Sequence, residues 1–309
     1  MILQQNATNM YFFQQGRQAS CRYLLRGDFD GRKQAQVIQN FFVSQEQSLS
    51  AYLKAQGWQL SIEDLWAGIL VEPLDESIGP GLLIDIPHFL VDAQRGLLCL
   101  DHAFREGAGP MEPSISFAST RSREAFCVLS KDLSAHPLST QQTLTQSILN
   151  ELAPLLPDGI RLVQNLDRAD SFETGWGNGF ATLDLDQQQL SKLAQTDKAI
   201  WKRYLLRTSG RLLAEIKMHE TPLPAFDRPL LTSVGRIPGP ALPLPSLSKA
   251  VQALYMFPCR VPQSRFTMTL YSYGPRLFFI VSGNDEMADQ RMISQTLLGR
   301  GWVLETKGE

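Results

Sequence analysis

The sequence contains few of the residues that metal sites and nucleophilic catalysis use, and it does not group them. Only four cysteines and four histidines occur in 309 residues. The cysteines form neither a Cys-x-x-Cys pair nor a dense framework, which is typical of buried thiols in a reducing compartment. A zinc site needs about four ligands from separated pairs, and the cluster at Cys99, Asp101 and His102 has no second group to complete it. We therefore predict no metal and no cofactor.

Long apolar runs and an excess of positive charge are also absent. With 29 basic and 31 acidic residues the net charge is −2, so a broad nucleic-acid or membrane-surface binder is disfavoured. No run approaches the about 18 apolar residues of a spanning helix, and the first ten residues lack the regions of a secretory signal. The 43% hydrophobic content supplies a sizeable core. These features predict a cytoplasmic protein without membrane insertion.

Complete motifs for nucleophilic or phosphate chemistry are missing. The chain has no Gly-x-Ser-x-Gly elbow, and Ser246-x-x-Lys249 lacks the partner signatures of Ser-x-x-Lys enzymes. We interpret Ser246 as the cap of a helix. The glycine-rich stretch 175–180 leads into a predicted strand, whereas a phosphate-binding loop opens onto a helix. We interpret this stretch as a loop that presents Trp176 and Phe180 to a partner, or as an ordinary turn with a packed tryptophan.

Two histidine pairings leave an enzyme open as an alternative. Asp85 with His88, and Cys127 with His136, could pair as base and nucleophile, although neither spacing imposes contact within a regular element. A catalytic triad can assemble from distant positions. No catalytic residue is predicted, but a hydrolase with a dispersed site stays an alternative.

Hydrophobic periodicity predicts an α+β protein with antiparallel or mixed sheets and helices on one face. The predicted strands are 20–26, 66–71, 82–86, 96–100, 125–129, 160–163, 181–185, 265–273, 276–282 and 302–305. The predicted helices are 32–57, 139–155, 186–207 and 284–298. The order strand, helix, glycine, strand recurs around 21–60, 125–163 and 277–304. This recurrence fits either repeated βαβ (ferredoxin-like) modules or chance.

The distribution of proline predicts the domain boundaries. Seven prolines occur between 221 and 246, and proline disrupts both helices and central strands. We interpret 221–246 as a strap or linker held by apolar anchors. It separates a larger α+β domain, 1–220, from a small ββαβ module, 247–309.

Two short blocks resemble a known family. Gly27-Asp28-Phe29 and Trp66-Ala67-Gly68-Ile69-Leu70, with Asp75 shortly after, resemble the type VI secretion-associated family TagF (ImpM). The resemblance covers about residues 20–86, and the family's Gly-Lys-Leu-Pro and Gly-Arg segments are absent. It implies a cytoplasmic, non-catalytic regulator of a secretion machine.

The leading hypothesis is therefore a non-enzymatic adaptor, regulator or assembly protein of a bacterial macromolecular machine that binds other proteins. The candidate partner-binding residues are Trp176, Phe180, Arg203 and Arg207, the last two from the basic face of the predicted helix 186–207. RNA binding through βαβ modules, as in CRISPR-effector proteins, is the alternative, with nucleic acid the less favoured partner.

Overall fold

The structure is a computed structural model that describes residues 19–75, 79–106, 125–135, 138, 143–165, 176–177, 180–197, 200, 228–239, 242–257, 259, 264, 266–283 and 288–308. Its elements in chain order are β1 (Ser20–Gly27), α1 (Gly31–Ser44), α2 (Glu46–Ala55), α3 (Ile62–Trp66), β2 (Leu70–Pro73), β3 (Gly81–Pro87), α4 (Ala93–Glu106), β4 (Ala125–Asp132), α5 (Leu144–Leu152), a 3-10 turn (Ala153–Leu155), β5 (Ile160–Asn165), β6 (Phe180–Leu185), α6 (Gln187–Ala194), β7 (Leu230–Ile237), α7 (Pro245–Ala250), β8 (Val251–Phe257), β9 (Phe266–Tyr273), β10 (Arg276–Gly283), α8 (Ala288–Leu298) and β11 (Val303–Gly308).

The described strands form two sheets. The smaller has the order β2-β3-β1-β8, and the larger has the order β11-β4-β10-β9-β7-β5-β6. The pairs β5–β7 and β7–β9 are parallel, and the other pairs are antiparallel. The predicted α+β class with mixed sheets is confirmed.

Two apolar clusters make up the core and fix how the sheets meet. One lies between the small sheet with α1, α2 and α4 and one face of the large sheet, and the other lies on the opposite face with α5, α6 and α8. The hydroxyl of Tyr271 on β9 donates to the Leu254 carbonyl on β8 at 2.7 Å and accepts from the Met256 N–H at 3.2 Å. Because this tyrosine is fully buried, the two sheets share one packed interface.

The segment after β3 differs most from the sequence prediction. Residues 96–100, predicted as a strand, lie inside helix α4. The stripe Leu97, Leu100 and Ala103 follows the helical spacing and is fully buried. Gly96 had suggested the start of a strand, but a Cβ there would lie 2.0 Å from the Tyr23 hydroxyl. Gly96 is therefore required by a neighbouring side chain and does not mark a turn.

The proline-rich segment also contains a regular element that the sequence analysis excluded. Residues 230–237 form β7, a central strand of the large sheet. Pro229 and Pro238 bracket this stretch, and the eight residues between them contain no proline. Proline disrupts a ladder only where its missing N–H is needed, so the interpretation of 230–237 as a strap is wrong.

The predicted C-terminal module forms as described, but its strands belong to larger sheets. The hairpin β9–β10, helix α8 and strand β11 match the predicted order. Strand β8 pairs with β1, while β10 and β11 pair with β4. The region 247–309 therefore shares both sheets with the rest of the chain and is no separate unit in the structure.

Two predicted helices are interrupted, and one repeat is incomplete. The helix predicted for 32–57 breaks at Gln45 into α1 and α2, and the loop at Gly57–Leu60 forms no strand, so the first of the three recurring units does not close. The helix predicted for 186–207 begins with a capping box between Asp186 and Gln189, and it is interrupted after Ala194. Ile200 is again helical, and 198–199 and 201–207 lie outside the described residues.

Candidate functional site

A tight turn joins β3 to α4 and carries a buried histidine. The His88 N–H donates to the Ala19 carbonyl at 2.8 Å, and the Leu90 N–H donates to the Pro87 carbonyl at 2.9 Å. His88 comes directly after the last residue of β3, and it is 8% exposed. The backbone that carries the imidazole is therefore fixed by the small sheet on one side and by its own turn on the other.

Asp92 fixes the start of α4, four residues after the histidine. Its Oδ1 accepts from the N–H groups of Gln94 and Arg95, each at 2.9 Å. Its Oδ2 lies 3.9 Å from the Arg95 Nη1, and both side chains are 8% exposed. A carboxylate at a helix N-terminus is stabilised by the exposed N–H groups and by the helix dipole. Since buried charges persist only when paired and hydrogen-bonded, these contacts hold the first turn of α4 in place.

Two further polar side chains from β1 line the inner side of this turn. The Cys21 thiol donates to the Val91 carbonyl at 3.6 Å, and the Tyr23 hydroxyl donates to the Ala93 carbonyl at 3.1 Å. Burial and then the nearby charge of Asp92 raise the pKa of the Cys21 thiol far above its ordinary value. Burial likewise raises the pKa of Tyr23 well above its ordinary value. Both groups stay protonated, so Cys21 is no nucleophile.

The segment Trp176-Gly177 covers the turn from the outside. The Gly177 N–H donates to the Leu90 carbonyl at 2.6 Å, and a Cβ at this glycine would lie 3.7 Å from the Arg95 Nη1. The Trp176 indole N–H donates to the Ser48 hydroxyl at 3.0 Å. The segment thus connects α2 with the turn.

Two of the four predicted partner-binding residues lie within the described part of the chain. Trp176 is 8% exposed, so this indole lies inside the fold and is not presented on the surface. Phe180 begins β6, where its backbone pairs with Asn165. Arg203 and Arg207 lie outside the described residues. The partner-binding role of these four residues therefore stays a prediction.

The two proposed histidine pairings have different outcomes. Asp85 accepts two hydrogen bonds of 2.8 Å from the guanidinium of Arg22 on the neighbouring strand, so its carboxylate forms an ion pair with that arginine. His136 lies outside the described residues, so its pairing with Cys127 stays a prediction. The acidic residue that organises the turn of His88 is Asp92, which the sequence analysis did not select.

The cluster at Cys99, Asp101 and His102 is structural. Asp101 Oδ1 accepts from the N–H groups of Ser246 and Leu247 at 2.8 and 2.7 Å, so it caps α7 from another helix. The side chain of Ser246 is therefore not the cap, contrary to the sequence interpretation. Cys99 is fully buried. Within the described ranges no three potential ligands gather for a metal ion.

A cleft of about 820 Å³ lies at the other end of β3, lined by Asp30, Arg32, Asp75 and neighbouring residues. Gly81 borders this cleft, whereas His88 follows Pro87 at the opposite end. A strand of this length spans roughly 20 Å. We place the candidate site at the histidine because the buried polar groups converge there.

A sequence signal for this site does exist. His88-x-x-x-Asp92 lies between an apolar strand and an apolar helix, and aspartate directly before a helix is a start signal. Because the sequence pattern predicts a strand at 96–100, Asp92 is not recognised as the residue that precedes a helix.

Comparisons with known proteins identify the fold. Neither a family model nor a curated protein matches the chain. Among solved structures, it is similar to the trichothecene 15-O-acetyltransferase of Fusarium sporotrichioides, with a TM-score of 0.52 and 10% identity over 95% of this chain and 93% of that one. The starter condensation domain of rhizomide synthetase, in complex with C8-CoA and Leu-SNAC, gives a TM-score of 0.52 at 10% identity, with 95% and 93% covered. The nonribosomal peptide synthetase FmoA3 gives 0.54 at 10% identity, covering 94% of this chain and 44% of that one.

This finding corrects the leading hypothesis. The fold is shared with an acetyltransferase and with condensation enzymes, so the prediction of a non-enzymatic adaptor or assembly protein is wrong. The predicted partners, other proteins and less favourably nucleic acid, are overturned as well. The ligands of the rhizomide synthetase domain are small molecules. The resemblance of residues 20–86 to TagF stays a prediction, since no match bears on it. No helix among the described residues combines the length and apolarity needed to cross a membrane.

Proposed function

We propose that the protein is an acyltransferase that moves an acyl group from a thioester to a hydroxyl or amine acceptor, with His88 as the general base. The observation that carries the proposal is the histidine turn, in which His88 and the capping Asp92 lie at the two ends of a strand-to-helix connection held by backbone hydrogen bonds. The fold adds support, because solved proteins that share it include an acetyltransferase and a condensation domain in complex with an acyl-CoA.

The chemistry needs one group that accepts and then returns a proton. An imidazole nitrogen of His88 takes the proton from the acceptor O–H or N–H as that atom attacks the thioester carbonyl. The new C–O or C–N bond forms, the C–S bond breaks, and the departing sulfur takes the proton from the imidazolium. The products are an ester or amide and a free thiol, and the histidine returns to its starting state.

The neighbouring residues determine where the base sits. Asp92 and Arg95 hold the start of α4, while Trp176-Gly177 holds the turn from outside. No acyl-enzyme is needed, in agreement with the raised pKa of the buried Cys21 thiol. In this scheme Asp92 and Arg95 are positioning residues, and His88 alone handles the proton.

The test measures release of thiol from acyl-CoA with a panel of alcohol and amine acceptors. His88→Gln should lower kcat by about 100-fold or more, the usual contribution of a general base. His102→Gln is the matched control, because His102 lies further along α4, where it contacts Arg105 and Phe41. Retained turnover in the His88 variant, or no acceptor-dependent thiol release by the wild type, would refute the proposal.

A further inference from the structure

A side-chain hydrogen bond joins the start of α4 to the large sheet. Gln94, in the first turn of α4, donates from Nε2 to the Val234 carbonyl on β7 at 3.2 Å. The Gln94 N–H donates to Asp92 Oδ1 at 2.9 Å. Gln94 therefore links the carboxylate that caps α4 to a strand of the large sheet.

The acceptor of this bond is the extra residue of a β-bulge. In the pairing of β7 with β9, Ser233 is opposite Leu270 and Gly235 is opposite Tyr271, which leaves Val234 as the extra residue. An extra residue of this kind lies outside the regular hydrogen-bond ladder. Val234 is 6% exposed, and a buried carbonyl that receives no hydrogen bond costs free energy. The side-chain amide from α4 supplies that hydrogen bond.

Gly235 determines the direction of the Val234 carbonyl. The Val234 carbonyl and the Gly235 N–H belong to one planar peptide group, and the φ angle of Gly235 sets the orientation of that plane. This φ is +98°, and a Cβ at the position would meet no atom within 4 Å. Glycine is therefore needed for its backbone conformation and not for space. This conformation points the carbonyl at Gln94.

The bulge lies beside the buried tyrosine that joins the two sheets. Gly235 is opposite Tyr271, and the Tyr271 hydroxyl makes two hydrogen bonds to the backbone of β8. Two bodies joined at a single point can still rotate about that point, whereas a second contact restricts the rotation. The bond from Gln94 to Val234 is a second contact, and it acts on the helix that begins at the histidine turn.

We propose that Gln94 is a positioning residue for acyl transfer, which holds the histidine turn at a fixed distance from the large sheet through its bond to the Val234 carbonyl. The inference rests on the proposed function, in which His88 is the base. A displacement of about 1 Å at a catalytic group can lower the rate about 100-fold. Loss of the bond should therefore lower kcat and leave substrate binding nearly unchanged.

The first experiment compares two glutamines that make the same kind of bond. Gln39 donates from Nε2 to the Val71 carbonyl at 3.2 Å and so links α1 to β2. Gln94→Met and Gln39→Met each remove the donor and keep a side chain of similar size, so both should lower the urea midpoint to a similar extent. Only Gln94→Met should lower kcat for thiol release, by about 10-fold or more, with KM values within about twofold of the wild type. An unchanged kcat in Gln94→Met, or an equal fall in both variants, would overturn the inference.

The second experiment disturbs the same bond from the side of β7. Gly235→Ala should turn the Val234 carbonyl away and lower kcat, and Gly301→Ala is the matched control, because Gly301 has a φ of +81° and an added Cβ there would also meet no atom within 4 Å. If both substitutions act through one bond, the double variant with Gln94→Met should have the kcat of the more impaired single variant. Circular dichroism checks the fold of each protein. A double variant whose loss equals the product of the two single losses would contradict the proposal.

Nuclear magnetic resonance of the histidine rings separates this inference from the proposed function. The chain has four histidines, so the ring signal of His88 can be assigned by its loss in His88→Gln. Gln94→Met should shift this signal, and Gln39→Met should leave it in place. A shifted signal in a protein without turnover would refute acyl transfer alone. Turnover in which neither kcat nor the His88 signal responds to Gln94→Met would refute the positioning role alone.

Discussion

Replacement of Gly96 tests the packing that places the candidate site. A Cβ at this position would lie 2.0 Å from the Tyr23 hydroxyl and 2.8 Å from the Cζ of the same ring. Both distances are below any real contact of this kind, so Gly96→Ala must displace α4 from β1 or rotate a fully buried ring. Because Asp92 caps α4 and Arg95 lies in its first turn, the displacement would reach the histidine turn.

Two opposing effects determine how much Gly96→Ala changes the free energy of unfolding. Alanine gains about 1 kcal/mol over glycine from helix propensity, whereas overpacking a core costs about 1–3 kcal/mol and more when backbone must move. The overlap here is with a buried ring and cannot be relieved by a flexible chain end. We therefore expect Gly96→Ala to destabilise the protein by about 2 kcal/mol. Tyr23→Phe, which removes the donor to the Ala93 carbonyl, should cost about 1 kcal/mol.

The assay is urea unfolding of the two single variants and the double variant. Removing the hydroxyl relieves the closest overlap, so the double variant should be at least about 1 kcal/mol more stable than the sum of the single effects predicts. A strictly additive result, or a Gly96→Ala protein as stable as the wild type, would refute the packing argument. The matched control is Gly299→Ala, where the nearest atoms lie 3.5 Å or more from the added Cβ.

Three other predictions concern the remaining fold. Asp101→Ala removes the acceptor of two backbone donors at the start of α7 and should cost about 2 kcal/mol in urea unfolding; Asp101→Asn keeps the oxygen and should cost less than half as much, so equal losses would contradict the capping role. The Ser134 backbone N–H lowers the pKa of Asp132, and a carboxylate with a lowered pKa in the folded state contributes stability that is lost as the pH falls through that pKa. The wild type should therefore lose more stability than Asp132→Asn below about pH 4, and equal losses of the two proteins in acid would contradict the prediction. Cys21, Cys99 and Cys127 are buried and Cys259 is half-buried, so a thiol reagent should modify Cys259 first in the folded protein, and rapid labelling of two or more thiols would be inconsistent with the structure.

The elements predicted well from sequence are those whose signals are local. The C-terminal hairpin has alternating apolar residues on both sides of Gly274-Pro275, and Gly274 takes a φ of +56° in the turn. Strand β1 shows the same alternation, and β4 forms where it was predicted. In each case residues close in sequence determine the conformation, so the local sequence pattern is sufficient to predict the element.

The elements predicted badly depend on distant residues. Gly96 in α4 is set by Tyr23, which lies on a strand far earlier in the chain. The break between α1 and α2 at Gln45 has no proline or glycine to mark it. β7 forms because the proline-free stretch between Pro229 and Pro238 finds a parallel partner on each side. Such partners cannot be identified from one sequence.

The candidate site also depends on residues that are distant in sequence. This explains why the absence of motifs led to a wrong conclusion about catalysis. Its parts come from the β3–α4 turn and the Trp176-Gly177 segment, which are joined by the hydrogen bond from the Gly177 N–H to the Leu90 carbonyl. Backbone groups carry no sequence signature. A thioester supplies its own activated carbonyl and leaving group, so the protein has to add little more than one base in a fixed position. A chain with few histidines can therefore carry out acyl transfer, provided that the fold holds one of them where the acyl carbon arrives.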